Sequence, residues 1–485
     1  MQILRKVFFY CFLIIYLTVC PFLVLYAFGY IFNPKNLKII QTGLLSLATI
    51  PPHATIYIGK SRYKDKTPAV ISGLIPGKYS IKLLHKEYQP WSKEVSIAAG
   101  KTLLFENSIL IPWHWKTREI SARSFKEMIP LPETSYVLLA MSHKLKDYYV
   151  YDRKEERLWP LMAEDGSWGN AKVLERFTIR GAPGLLFCLE GEGKKRYAWI
   201  ELKERMPKLK DMSSLFLEEP LYVDAPPNDM RFLFSFEKGY LTRMDAIAEA
   251  VFPKYLEGLR GFGISSKHLY ILTNDNTLQR LNYDKTNGEE IAIDEALSKN
   301  PLFATRNFLK IKAFEKNIFV FRSQRGEFFI SYLSYVFADK GILGVEFDKG
   351  SKKLLFWKKD KIGVLDFSGV GQESGLLEKK PQMRWIYANA EDISACFWAL
   401  RGSYLIFQDK AGVYLLEAQG DGEVLCTLIT QAKKDASIWY AEDAGMLYYL
   451  EPRAGRLMSL EIIPKSHLSL LLLPQRVTQD TESKE

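Results

Sequence analysis

Side chains able to do chemistry are spread along this chain rather than gathered. The six histidines stand at positions 53, 85, 114, 143, 268 and 467, with no pair at metal-ligand spacing and no His-Glu-x-x-His arrangement. No metal-ligating set is expected. The five cysteines make no set either: Cys11 and Cys20 lie in an apolar N-terminal run, and Cys188, Cys396 and Cys426 each fall in an apolar stretch, where a reduced thiol packs as a small hydrophobe. Gly59-Lys60-Ser61 ends like a phosphate-binding loop, but the position five residues before Gly59 that needs glycine is Ala54. Gly258, Gly261 and Gly263 are out of order for a dinucleotide fingerprint, and Asn274-Asp275-Asn276 lacks the glycine and glutamate that complete a calcium loop. Both read as turns, so no catalytic, cofactor-binding or metal-binding residue is assigned.

What does gather is positive charge. Residues 1–112 hold 13 Lys and Arg against 4 Asp and Glu, whereas the remaining 373 residues are balanced at 53 against 52. Lys60, Arg62, Lys64 and Lys66 concentrate this charge in one expected loop, suited to anionic headgroups or an anionic wall polymer. The balanced C-terminal part lacks a basic stripe and disfavours nucleic acid as a partner.

The elements that position this loop begin with residues 7–32, which contain no charged side chain over 26 positions, more than the roughly 20 needed to cross a hydrocarbon core as a helix. A transmembrane helix is expected there, with residues 1–6 cytoplasmic and a kink at Pro21. A cleaved signal peptide would have a shorter apolar core and small residues before the cut. Val19 is too bulky for a lipid-attachment site at Cys20.

Between Gly43 and Pro112 the pattern changes to period two. Ala54, Ile56 and Ile58 alternate with Thr55 and Tyr57, and Tyr79, Ile81 and Leu83 with Ser80 and Lys82, while Pro76-Gly77 supplies a turn. The stretches Ser46-Leu47-Ala48-Thr49-Ile50-Pro51-Pro52-His53-Ala54, Thr67-Pro68, Leu74-Ile75-Pro76-Gly77-Lys78-Tyr79, Glu87-Tyr88-Gln89-Pro90-Trp91 and Val95-Ser96-Ile97 resemble the PEGA domain in order and spacing. The resemblance implies a small β-sandwich at 43–112, of a kind found in bacterial and archaeal proteins and often beside a membrane anchor, with domains that usually face outward. It carries no catalytic residue. His53 and Glu87 stand where that pattern usually has glycine.

From 113 to 474 one local pattern recurs: an apolar run, a polar turn and a second apolar run. Eight instances pair 148–151 with 158–159, 185–189 with 197–200, 232–236 with 241, 270–272 with 278–281, 318–321 with 328–333, 354–357 with 362–365, 405–407 with 413–416, and 447–450 with 457–460. The mean step is about 43 residues, the length of a four-stranded blade. The expectation is a mainly β protein with a seven- or eight-bladed β-propeller, against the alternative of two stacked sandwiches. Segments 118–125 and 468–473 flank the hairpins, and either could supply the strand that closes the ring. Trp113 and Trp115 are expected to wedge the small domain against the first blade, residues 244–255 to form a short helix, and residues 475–485 to be a disordered tail.

Two readings of function follow. In the first, the chain is a non-enzymatic cell-envelope protein of bacterial type, a single-pass protein of the cytoplasmic membrane with its bulk outside the cytoplasm. Its propeller then offers a binding or scaffolding surface to a protein or glycan partner. In the second, the propeller is a hydrolase or lyase acting on an envelope polymer. Carboxylates pooled at the mouth of the central channel, with strongly shifted titration, would favour the second.

Overall fold

A computed structural model describes residues 2–464 apart from 34–37, 163–167, 180–183, 192, 203–208, 228–230, 294, 306–307, 315–316, 324, 334, 369–379, 419–423 and 435. The N-terminal helix runs from Gln2 to Ala27 and includes the apolar span Phe9–Ala27. It ends earlier than the 7–32 expected from hydropathy because Gly29 adopts φ +77°, the left-handed residue that stops a helix. Tyr30–Asn33 then pairs antiparallel with Lys38–Gln41.

The next domain is the expected sandwich. One sheet joins Ala69–Leu74, Gly43–Ile50 and Thr102–Ile109, and the other Ser61–Lys66, Thr55–Ile58, Gly77–Leu84 and Trp91–Ile97. Leu45, Leu47, Ile56, Ile81, Leu83, Trp91, Val95 and Phe105 fill the space between them, from the alternate positions that period two predicts. His53 and Glu87 each take φ 70°, the left-handed region glycine would occupy without strain.

The C-terminal part is an eight-bladed propeller, so the alternatives of seven blades and of stacked sandwiches fall away. Among the described residues it has eight four-stranded antiparallel sheets: 127–160, 172–211, 222–257, 259–291, 308–340, 344–387, 395–430, and 439–461 completed by Thr117–Ser121. We number them blades 1 to 8. Each apolar cluster of this part sits between consecutive blades, because the middle strands are apolar on both faces: Leu354 and Phe356 face blade 5, and their neighbour Leu355 faces blade 7.

Closure comes from the segment ahead of blade 1. Thr117–Ser121 pairs antiparallel with Leu457–Glu461, so the outer strand of the last blade comes from the start of the domain. Of the two flanking segments considered, 468–473 lies outside the described residues. At the seam, ten buried side chains of blades 8 and 1, including Phe125, Leu139, Tyr448 and Leu450, form one cluster. Leaving them in water would cost on the order of 10 kcal/mol, comparable with the whole net stability of a domain. Arg153 to Asp443 at 2.6 Å and Arg118 to Glu156 at 2.8 Å also bridge the seam.

Two local expectations are corrected. Residues 244–255 are not helical: Tyr240–Asp245 turns into Ala250–Glu257, because the Asp245 carboxylate accepts from the amides of Ile247 and Ala248 and fixes a tight turn. The first hairpin of the repeat is the third-to-fourth turn of blade 1, whereas the other seven are second-to-third turns.

Proline at both Arg118 and Glu119 should cost about 3 kcal/mol or more by breaking the closing ladder, and should lower the melting temperature of the whole propeller. Arg118→Gln, which removes only an exposed ion pair, should cost less than about 1 kcal/mol.

Candidate functional site

In a four-stranded meander the first-to-second and third-to-fourth turns share one end of the blade, which divides the propeller into two faces. The small domain docks on that end of blades 7 and 8. Tyr404 at the start of a second strand accepts the amide of Ile109 at 3.0 Å, and Leu425, just before a fourth strand, packs on the sandwich core. Ile50 and Ile109 enter the core shared by blades 7 and 8.

The polar part of this junction is Lys93 to Glu417 at 2.9 Å, with side chains only 3% and 5% exposed. Lys93 lies at an inward position of Trp91–Ile97, between Trp91 and Val95, and its Nζ sits 5.5 Å from the Phe105 ring centroid. Burial pushes the Glu417 carboxyl above its ordinary range, and the hydrogen bond and charge of Lys93 oppose that shift.

Beside the junction lies a cleft of about 420 Å³ lined by Tyr88, Trp113, Trp115, Lys116 and Glu461 among others. The two tryptophans therefore meet blade 8, not the first blade. Trp115 packs against the shared core of blades 7 and 8, while Trp113 is 60% exposed. Aromatic faces beside a carboxylate and an ammonium suit a ligand with one apolar face and a polar edge.

The same face carries a carboxylate group that sequence reading missed. Glu346 is at the middle and Asp348 at the end of the first strand of blade 6, Glu442 follows the first strand of blade 8, and Arg401 follows that of blade 7. Glu346 accepts the Trp398 amide at 3.0 Å, and Glu442 accepts the Arg401 amide at 2.8 Å. Burial, opposed by the Trp398 amide and aided by Glu442 and Asp348, pushes Glu346 up to about 7; burial also raises Glu442. These are carboxylates with shifted titration near the channel mouth, the observation that favours an enzyme, yet both are engaged by backbone amides that tie neighbouring blades.

The basic residues are not one loop. Lys60 occupies the turn after Gly59, whereas Arg62, Lys64 and Lys66 lie on the edge strand Ser61–Lys66, with Arg62 opposite Tyr57 and Lys66 opposite Thr55. All four are exposed, and the strand carries them from one end of the sandwich to the other. Cys188 and Cys396 are buried core thiols, as their apolar surroundings imply.

Replacing Lys93 with Met strands a buried carboxylate and should cost about 3–5 kcal/mol, and the double variant with Glu417→Met should recover most of it, read by chemical denaturation. Glu346 binds its proton more tightly when folded, so its contribution to stability is full below pH 4.5 and is lost as pH rises through about 7. Glu346→Gln should flatten that part of the stability profile between pH 4.5 and 7 and leave the rest unchanged.

Residues 42–109 match the family model of the PEGA domain. No curated protein matches the chain. Among solved structures, the β-propeller domain of Cps50 (Swd1) from Myceliophteria thermophila is similar at 10% identity, over 71% of this chain and 99% of that one, with a TM-score of 0.38. BamB from Moraxella catarrhalis is similar at 11% identity, over 71% and 98%, with a TM-score of 0.41. Likenesses at this level carry no statement about function. Residues 42–109 are a PEGA domain, set between an apolar N-terminal helix and an eight-bladed β-propeller.

Proposed function

We propose that the chain is a single-pass, non-enzymatic scaffold of the cytoplasmic membrane, which holds its propeller outside the cytoplasm at a fixed height and offers the face away from the PEGA domain to a protein or glycan partner. The observation that carries this reading is the unbroken series of fixed contacts from helix to propeller. Thr42 donates to the Gly29 carbonyl from both its amide, at 2.8 Å, and its hydroxyl, at 2.7 Å, which ties the start of the sandwich to the end of the helix. At the other end, Lys93–Glu417 and the Ile109–Tyr404 bond hold the sandwich to blade 7. A flexible linker would serve to tether an enzyme, whereas a rigid stand serves to present a surface.

The raised Glu346 and Glu442 favour a second reading, a hydrolase or lyase acting on an envelope polymer. Their engagement by the Trp398 and Arg401 amides suits a role in joining blades, and we place the scaffold first.

Protease added to intact spheroplasts should digest the propeller, and full protection would contradict the orientation. Affinity purification of the full chain from membranes should recover the same partner with the wild type and with the Glu346→Gln/Glu442→Gln variant. Degradation of an envelope polymer by the wild type, lost in the variant, would favour the enzyme.

A further inference from the structure

The two ends of the PEGA domain differ in chemistry. Its propeller end is made by the turns at 51–53, 67–68 and 85–90 and by Ile109, which leads on to blade 8. Its opposite end is made by the turns at 59–60, 75–76 and 98–101, and this end adjoins the helix. Gly43 packs against Ile97 and the Ala98 carbonyl, the Gly100 amide donates to the Thr42 carbonyl at 3.1 Å, and Thr42 is bonded to Gly29, two residues past the last helical residue. A helix that leaves the hydrocarbon near Ala27 therefore brings this end of the domain to the headgroup layer.

What the end presents is basic with an apolar tip. Lys60, Lys78 and Lys101 are exposed there, Ile75 at the turn is 40% exposed, and the hairpin beside the helix exposes the cross-strand pair Phe32 and Ile39. No acidic residue falls in the turns 59–60, 75–78 or 98–101. Cations around large apolar and aromatic side chains are the composition of a surface that sits at a lipid interface.

Resting on the reading that the helix spans, we propose that this end of the PEGA domain is a foot that seats on anionic phospholipid headgroups of the outer leaflet, through Lys60, Lys78 and Lys101 with Ile75 inserted between them. Distance then separates Lys60 from the far end of the basic cluster. Lys66 is six residues further along an extended strand, roughly 20 Å away at about 3.3 Å per residue. That is more than twice the Debye length of about 8 Å at physiological salt. Lys66 therefore contributes little to lipid contact; of the four residues read from the sequence as one anionic-surface cluster, Lys60 belongs to the foot, Arg62 at about 7 Å along the strand stands at its margin, and Lys66 lies beyond it. The foot fixes the tilt of the stand, because a single helix leaves a protein free to lean.

The test uses the full-length protein reconstituted into phosphatidylcholine vesicles with and without phosphatidylglycerol. Ile75→Cys or Lys66→Cys carries a fluorophore that headgroup spin labels quench. Quenching at position 75 should exceed that at position 66 by several-fold, should grow with phosphatidylglycerol and should weaken in 0.5 M salt. Each cation of the foot should contribute roughly fivefold to the anionic-lipid dependence, the factor that about 1 kcal/mol gives at 25 °C. Changing Lys60, Lys78 and Lys101 together to Gln should return position 75 to its value in neutral vesicles, whereas Lys64→Gln/Lys66→Gln should not. Protein that floats with vesicles but shows equal quenching at the two positions, or no lipid-charge dependence, overturns the foot alone. Protein that fails to float with vesicles overturns the spanning helix and the foot with it.

Discussion

The pairing of Thr117–Ser121 with Leu457–Glu461 is the constraint on which the arrangement of the whole chain depends. A blade exposes two apolar faces, and only a ring covers all of them. Closing that ring with the strand that follows the PEGA domain leaves seven residues, 110–116, between Ile109 and the propeller, and these are themselves engaged at the junction. The Trp113 amide donates to Glu87, the Gln89 amide to Ile111, and the Glu461 amide to Lys116. The cooperativity that holds blades 8 and 1 together thus also fixes the exit of the membrane-proximal domain.

A second attachment on blade 7 removes the remaining freedom. One covalent connection would permit rotation about 110–116; Lys93 to Glu417, with Leu425 packed on the sandwich core, opposes it. Burying that pair is costly, and losing either partner would strand the other's charge at the junction. Glu346 and Glu442 meet burial differently, by accepting backbone amides while burial raises their carboxyls, and tie blades 6 to 7 and 7 to 8.

Legibility in the sequence followed burial. The second and third strands of the blades are apolar on both faces, as in Leu354-Leu355-Phe356, so they stand out as runs and reveal the repeat. Outer strands mix exposed and buried positions, as in Ala250–Glu257, and the closing strand meets a partner some 340 residues away, so nothing local marks them. The PEGA domain was legible because its Pro-Gly turns are set by backbone geometry, and His53 and Glu87 keep the left-handed conformation even without glycine. Hydropathy overran the helix end because Phe28, Tyr30, Ile31 and Phe32 are apolar or aromatic, while Gly29 carried the stop signal. The carboxylate group joins positions 346 and 348 of blade 6 with 442 of blade 8, nearly a hundred residues apart in sequence. Lys93, by contrast, had a visible signal, a lysine in the inward register of a strand, which demands a buried partner without saying which.

Distance measurement by pulsed electron paramagnetic resonance tests the rigid stand most directly, with spin labels at Ser96 of the PEGA domain and Lys410 of blade 7 in the full chain held in lipid nanodiscs. A two-point junction predicts one narrow distance distribution, unchanged between low and high salt. A broad or multimodal distribution would mean that the propeller swings on the residues 110–116 and would contradict the account.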